Sequence, residues 1–358
     1  MTNEILNRYV SLEIEDTYGT ENSGNGNVVY RGEVDDESFA TRKDLLTRQD
    51  MSHYASAKSV TGGEYSEGGY NMAVQVDKFL GATLLSFFPK YGMDSTSKIH
   101  LFEEPVTGTE GTSGDIPYDS FTIRVGREAK EHTYVGMMAN RLSLSASVGE
   151  YVTMSADWVG CTEKDTTNLS SSSLAFDGDA LDALYFANGE VYFNNGSSAS
   201  TGTVKSVSFE VNMNRDTDNA YALGSSTYVR APPSQRMEVT GTLEFNQIIH
   251  TSVNGSPTYD SLIDEDGLAY NPGGSNDALK LVFKEEDGSG GSSATNYMEI
   301  QFYNVRFEAP ESTVSGRDTQ TMSVGFVALY DDTAEAVMDV QLKGGSMTAS
   351  EIDWDAGA

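Results

Sequence analysis

The sequence predicts an all-β protein, mostly strand with one or two short helices, laid out as two tandem β-sandwich or barrel domains that look duplicated. Three observations carry this. Short runs alternating apolar and polar residues recur along the chain, the period-two signature of half-buried strands. The punctuation is that of short strands and turns, with 35 Gly, only 8 Pro, and Ser and Thr throughout. The succession of elements in the first half also returns, loosely, in the second.

The alternating runs are "VSLEIE" (10–15), "SFTIRV" (120–125), "GEVYF" (189–193), "VKSVSFEV" (204–211), "MEVTGTLEF" (237–245), "LKLVF" (279–283), "YMEIQFYNVRF" (297–307) and "TMSVGFVALY" (321–330). Helical spacing is clear once, in "NMAVQVDKFLGATLLSFF" (71–88), where Val76, Phe79, Leu80, Leu84 and Phe87 recur three and four residues apart. A shorter helix is expected in "TYDSLIDEDG" (258–267).

The stretch "NRLSLSASVGEYVTMSADWVG" (140–160) reads as a hairpin. A two-residue turn would throw the apolar sets of its strands onto opposite faces, which a half-buried sheet does not tolerate. A three-residue turn, Gly149-Glu150-Tyr151, instead faces Leu142 to Trp158, Leu144 to Ala156 and Ala146 to Met154. The other face is then a smooth wall of Ser143, Ser145, Ser147, Thr153, Ser155 and Asp157. Plain solvent exposure is one explanation of that wall.

Residues 50–160 laid beside 230–331 show the repeat: Val60-Thr61-Gly62 returns as Val239-Thr240-Gly241, and Thr153-Met154-Ser155 as Thr321-Met322-Ser323. The expected division is a first domain at 1–165, a polar linker at 166–177, a second domain at 178–343 and an acidic C-terminal tail at 344–358. Each half carries a long polar segment before its VTG strand, at 35–57 and 212–236, and loops of that length are usually functional or ordered by a neighbour.

The formal net charge is -31, from 23 Lys and Arg against 54 Asp and Glu. Such a field repels nucleic acid and anionic lipid. It also suits solubility at high salt, so a halophilic host is an expectation. Cys161 is the single cysteine and excludes an intramolecular disulfide. The first residues lack the apolar core of a signal peptide, and "FLGATLLSFF" (79–88) is too short to cross a bilayer, so a soluble protein made inside a cell, with no membrane partner, is expected.

No chemistry is legible. His53, His100, His132 and His250 are not at metal-ligand spacing. The acidic clusters 176–182 and 263–267 do not fit a calcium loop, and no nucleophile elbow, phosphate loop or dinucleotide fingerprint is present. The expectation is no catalytic residue, no metal and no cofactor, hence no enzyme.

In the second half, "VKSVSFEVNMNRDTDNAYALGSSTYVRAPPSQRMEVTGTLEF" sets a strand, an Asn-rich extension with a Leu-Gly-Ser step, and a VTG strand in succession. This resembles the major tail tube proteins of long-tailed, siphovirus-like bacterial or archaeal viruses. The hairpin at 140–160 is similar to that of the same family, where an N-x-L-x-L strand leads to a Gly-containing turn and a return strand ending in Gly. The resemblance spans most of residues 20–343. The acidic excess and the two-domain length depart from the commonest single-domain members. It implies β-sandwiches whose sheets join neighbours into rings, rings that stack into a tube, contact with other tail proteins at the tube ends, and a lumen that passes viral DNA without binding it. The protein would then be made in the host cytoplasm and end in the virion tail. A face of Ser, Thr and Asp without Lys or Arg suits such a lumen, since cations there would bind phosphate and release counterions.

Further expectations follow. Stacking chains of charge -31 requires salt that screens over a Debye length of about 8 Å. The segment "YVRAPPSQR" (228–236) is a candidate inter-subunit contact, with Arg230 and Arg236 flanking the stiff Pro232-Pro233 pair, the alternative being a surface loop of local pairs. Two sandwiches per chain make a ring of three chains with pseudo-sixfold symmetry the expectation, against a hexamer with one half as outward decoration. The rival function is a β-sandwich surface or adhesion module that binds glycan or protein, although the 19 Tyr are scattered rather than clustered.

Overall fold

The computed structural model describes residues 8–21, 29–48, 51–52, 54–55, 58–94, 99–103, 120–127, 130–168, 182–194, 199–200, 203–252, 254–264, 269–270, 278–285, 296–311 and 320–344. The first half contains β1 (Tyr9–Ile14), β2 (Tyr30–Gly32), β3 (Asp36–Glu37), β4 (Ala40–Arg48), β5 (Lys58–Ala73), α1 (Lys78–Phe87), β6 (Lys90–Asp94), β7 (Ile99–Glu103), β8 (Phe121–Arg127), β9 (Lys130–Ser147), β10 (Thr153–Gly160) and β11 (Thr162–Asn168). The second contains β12 (Gly189–Phe193), β13 (Val204–Asn212), β14 (Glu238–Phe245), α2 (Tyr259–Asp264), β15 (Ala269–Tyr270), β16 (Leu279–Lys284), β17 (Tyr297–Phe302), β18 (Asn304–Phe307), β19 (Met322–Leu329) and β20 (Met338–Lys343). Among the described residues the fold is all-β and antiparallel, with two short α-helices, as the sequence predicts.

One long sheet joins the halves. From one edge it runs β3 and β4, β5, β10, β9, β13, β14, β19, β18, β15. The seam between halves is β9 against β13, where Ala146 faces Val207, Leu144 faces Phe209 and Leu142 faces Val211. All six side chains are buried, so the seam is core rather than rim. At about 1.5–3 kcal/mol for each large aliphatic or aromatic side chain buried, such pairs tie the halves together. One contiguous core accordingly takes in residues of both.

The second layer is built alike in each half. In the first, β1 pairs β8, β8 pairs the start of β9, and the start of β9 pairs β11. In the second, β12 pairs β16, then β17, then β20. β9 serves both layers because it turns a corner at Gly136, φ +66°, where a Cβ would lie 2.9 Å from the Cys161 Cβ. The second half divides this task between β17 and β18. The hairpin β6–β7 of the first half extends the second half's layer by pairing with β20.

Four sequence expectations are corrected. The helix expected over 71–88 spans only Lys78–Phe87. Residues 71–73 belong to β5, where Met72 lies opposite Met154, and the Asp77 carboxylate then caps the helix by accepting from the Leu80 N–H at 2.7 Å. The 140–160 hairpin closes in a different register: Leu144 faces Met154, Leu142 faces Ala156, and after a bulge at Asp157 Trp158 faces Ala139. The turn is longer because Val152 is pulled out of the ladder, donating to the Leu184 carbonyl while its own carbonyl accepts from Val74. The slip is two residues, so the faces keep their identity.

The VTG tripeptides are not equivalent. Val60 is exposed on an outlying hairpin whereas Val239 is buried in the long sheet. Gly68 and Gly241 each lie opposite a large aromatic residue, Trp158 and Phe326. Met154 lies opposite Met72, and Met322 opposite Phe245. Finally, β11 continues to Asn168, inside the expected linker. Residues 169–177 of that linker, most of the 176–182 acidic cluster, and the tail beyond residue 344 lie outside the described residues.

Candidate functional site: the polar face of the long sheet

Alternation along β9 and β10 turns Leu142, Leu144, Ala146, Met154, Ala156 and Trp158 into the core. Ser143, Ser145, Ser147, Thr153, Ser155 and Asp157 therefore share the opposite face, half-buried or exposed. The structure brings all six together. The Ser143 and Ser155 hydroxyls are hydrogen-bonded at 2.6 Å.

The wall does not stop at the seam. Ser147, Ser145 and Ser143 face Ser206, Ser208 and Glu210 across it. Ser208 faces Thr242 and Glu210 faces Thr240, and those two threonines face Gly325 and Val327. The result is an open trough of about 680 Å³ whose floor takes side chains from both halves. The second-half members were legible: "VKSVSFEVN" and "EVTGTLEF" carry the same Ser, Thr and Glu phase. Only the tertiary structure joins that phase to the first.

The expectation of a face without cations is also corrected. Arg141 lies two residues before Ser143 and so on the same face, opposite Asp157 and Asn212. It is held by carboxylates, with Nε and Nη2 on Asp157 Oδ2 at 2.8 and 2.7 Å, and Glu210 at 3.7 Å. The hydrogen bond it donates to Asp157 raises the guanidinium's pKa further. Lys205 is tied in the same way to Glu244 at 2.8 Å, and that bond, with one from Ser206, holds the Glu244 carboxyl below its usual range. These two cations have carboxylate partners, so neither is an open phosphate site, and Arg306 lies exposed on the same face opposite Val327.

The candidate contact at 228–236 sits elsewhere, on the segment between β13 and β14. Its inner side packs on the chain's own first half. Arg215, buried, donates to the Ala139 carbonyl at 2.8 Å and to the Pro232 carbonyl at 3.1 Å. The Tyr228 ring stacks on Tyr65, and the Cys161 thiol donates to the Tyr228 carbonyl at 3.3 Å. Burial raises the pKa of that thiol, keeping it protonated. Pro232 is buried and Pro233 exposed. Arg230 and Arg236 are exposed, Arg230 donating to the Asn219 carbonyl at 2.9 Å.

His100 is bonded to the Tyr91 hydroxyl, and His132 to Glu163, both at 2.7 Å. No group of three or more His, Cys, Asp or Glu among the described residues is placed to hold a metal. No helix among them is long and apolar enough to cross a membrane.

The long antiparallel sheet thus carries one polar face, rich in Ser and Thr, that runs through both halves. A family model for phage tail tube protein matches residues 6–246, well over half of the chain and across the seam. The chain belongs to the phage tail tube protein family, a structural component of the virion tail and not an enzyme. Membership carries self-association and contact with other tail proteins. No curated protein matches the chain.

Proposed function

We propose that this chain is the tube subunit of a long, siphovirus-like tail, assembling into stacked rings whose lumen is the hydroxyl and carboxylate face of the long sheet. The observation that carries this reading is the continuous trough across the β9–β13 seam, with Arg141 and Lys205 already paired to carboxylates. Phosphate binding by cations would release counterions and hold DNA in place. A wall of neutral hydroxyls and paired or net negative charge lets a polyanion slide during genome ejection. Other tail proteins would close the tube ends. The chain would be made in the host cytoplasm, and its charge of -31 fits a halophilic host.

Each ring would hold three chains. The halves run through the same order of strands in both layers, with Gly68 and Gly241, Met154 and Met322, and Trp158 and Phe326 at matching positions. This supports a duplicated tube domain, so that three chains supply six units around a pseudo-sixfold axis. The seam gives the pattern of closure: the place β13 takes beside β9 within one chain would be taken at the far edge, which β18 and the two-residue β15 form, by β3 and β4 of the next. Closure of this kind removes both sheet edges. Electron microscopy of assembled protein, with rotational averaging of end-on views in salt above the physiological level, tests the reading. Three chains per ring are expected. Six complete chains per ring would end the trimer, and discrete monomers at all salt concentrations would end the tube.

The Pro232-Pro233 loop would meet a neighbouring subunit through Arg230 and Arg236, exposed cations on a segment stiffened by proline and buttressed by Arg215. Replacing both with Glu is expected to leave the chain folded, since neither side chain is buried, and to abolish assembly by adding charge to an already acidic surface. Light scattering beside circular dichroism reads both. Tubes of normal length from this variant would refute the contact.

A further inference from the structure

The turn between β9 and β10 meets the segment that leads into β12, and an open groove of about 490 Å³ lies between them. Glu150, Tyr151, Asp182, Tyr185 and Phe186 line it. Tyr151 is 60% exposed and Phe186 37%. Large apolar side chains left in water and rimmed by polar residues mark a binding surface.

Backbone bonds fix the walls. Leu184 is fully buried; its N–H donates to the Val74 carbonyl and its own carbonyl accepts from Val152, both at 2.8 Å. The Phe186 N–H donates to the Glu150 carbonyl at 3.2 Å, and the Asp182 N–H to the Glu285 carboxylate at 3.1 Å. Tyr151 and Tyr185 are joined by an antiparallel bridge. All these bonds are made by the main chain of the lining residues, so none of them engages the side chains of Glu150, Tyr151, Asp182 or Phe186.

The lining selects a cation. The Tyr185 and Phe186 rings stand at 88° to each other with centroids 6.1 Å apart, and Tyr151 supplies a third ring. Aromatic faces attract cations through the ring quadrupole. Glu150 and Asp182 add two exposed carboxylates, and no Lys or Arg is among the described residues that line the groove. A hard divalent ion needs about six oxygen ligands or more, which two carboxylates on separate segments do not supply. A primary ammonium or a guanidinium brings several N–H donors, and rings are poor partners for them. A quaternary ammonium has no N–H to satisfy, so ring faces and nearby negative charge are all that it requires.

We propose that this groove binds a small organic cation of the choline type as a free solute, with its methyl groups against Tyr151, Tyr185 and Phe186 and its charge balanced by Glu150 and Asp182. The site is complete within one chain and does not rest on the tube reading. A zwitterion such as glycine betaine or a phosphatidylcholine headgroup carries an anion near its ammonium. The acidic rim and the chain's charge of -31 repel that anion.

Calorimetric titration of choline into the full-length chain at constant ionic strength tests the site. Saturable binding is expected. Ethanolamine, glycine betaine and the neutral carbon analogue of choline, with a tert-butyl group for the trimethylammonium, should each bind at least about tenfold more weakly. Phe186→Leu keeps apolar bulk but loses the ring, and is expected to weaken choline about tenfold, while Phe186→Tyr retains it. Glu150→Gln with Asp182→Asn should narrow the gap between choline and its neutral analogue. Circular dichroism should be unchanged in all of these variants, because the replaced side chains are exposed. No saturable choline binding, equal binding of ethanolamine or of the neutral analogue, or full affinity in Phe186→Leu would overturn the site. Sedimentation of the chain with phosphatidylcholine vesicles would overturn the free solute as its ligand.

Discussion

Gly68→Ala is expected to lower the folding stability of the chain by about 3–5 kcal/mol, combining the cost of a strained backbone angle with that of overpacking. Gly68 has φ +148°, a conformation L side chains rarely adopt, and a Cβ there would lie 2.4 Å from the Phe39 Cα, 2.7 Å from the Phe39 nitrogen and 2.8 Å from the Ser38 carbonyl carbon. All three are backbone atoms, so no rotamer change relieves the clash. The approach is close because the Ser38 N–H donates to the Gly69 carbonyl at 2.9 Å, and the Gly69 N–H to the Ser38 hydroxyl at 3.0 Å. Moving Ser38 aside would dislodge Phe39, which is buried against Tyr134 and Tyr70. Denaturant unfolding beside Gly92→Ala, where a Cβ meets nothing within 4 Å, measures the effect. A Gly68→Ala chain as stable as the Gly92→Ala control would show that the crossing yields.

Glu15→Leu should be comparably damaging, at about 4 kcal/mol or more, because it strands several buried donors that now bond a charged acceptor. Glu15 is 5% exposed and accepts four hydrogen bonds. Oε2 takes the Ser120 hydroxyl at 2.7 Å and the Gly19 N–H at 2.8 Å, and Oε1 takes the Thr122 hydroxyl and the Gly136 N–H, both at 2.8 Å. The last is decisive, since Gly136 is the corner at which β9 passes from one layer to the other. Glu15→Gln keeps the shape but replaces one acceptor oxygen by a donor, so it should fall between wild type and Glu15→Leu. Thermal unfolding of the three proteins gives the order. Equal stability of wild type and Glu15→Leu would mean that water replaces the carboxylate.

Glu15 also shows where sequence reading stops. Its place at the end of "VSLEIE" falls in the polar phase of a strand, and nothing local says that residues more than a hundred positions away supply three of its four donors. Arg141 is a different kind of miss. Its phase was legible beside Ser143, but pairing to Asp157 and Glu210 depends on the hairpin's register and on a neighbouring strand from the other half. The helix over 71–88 began too early because Met72, which pairs with Met154 of β10, lies four residues before Val76 and so extends the helical spacing when no partner strand is in view.

By itself, the sequence determined what period and composition control. These are the all-β class, the strands with clear alternation such as β1, β8, β13, β14 and β19, the two faces of the 140–160 hairpin and the absence of a recognisable catalytic motif. Side-chain alternation follows from backbone geometry one residue at a time, so it needs no distant information. Tertiary structure alone decided what depends on pairing between remote strands. It set the two-residue slip of the hairpin, the separation of Val60 from Val239, and the groove that brings Tyr151 together with Phe186. It also fused two hydroxyl phases, about sixty residues apart in the chain, into one wall across the β9–β13 seam. Register and strand order are properties of pairs, and a pair is written in the sequence only once its partner is known.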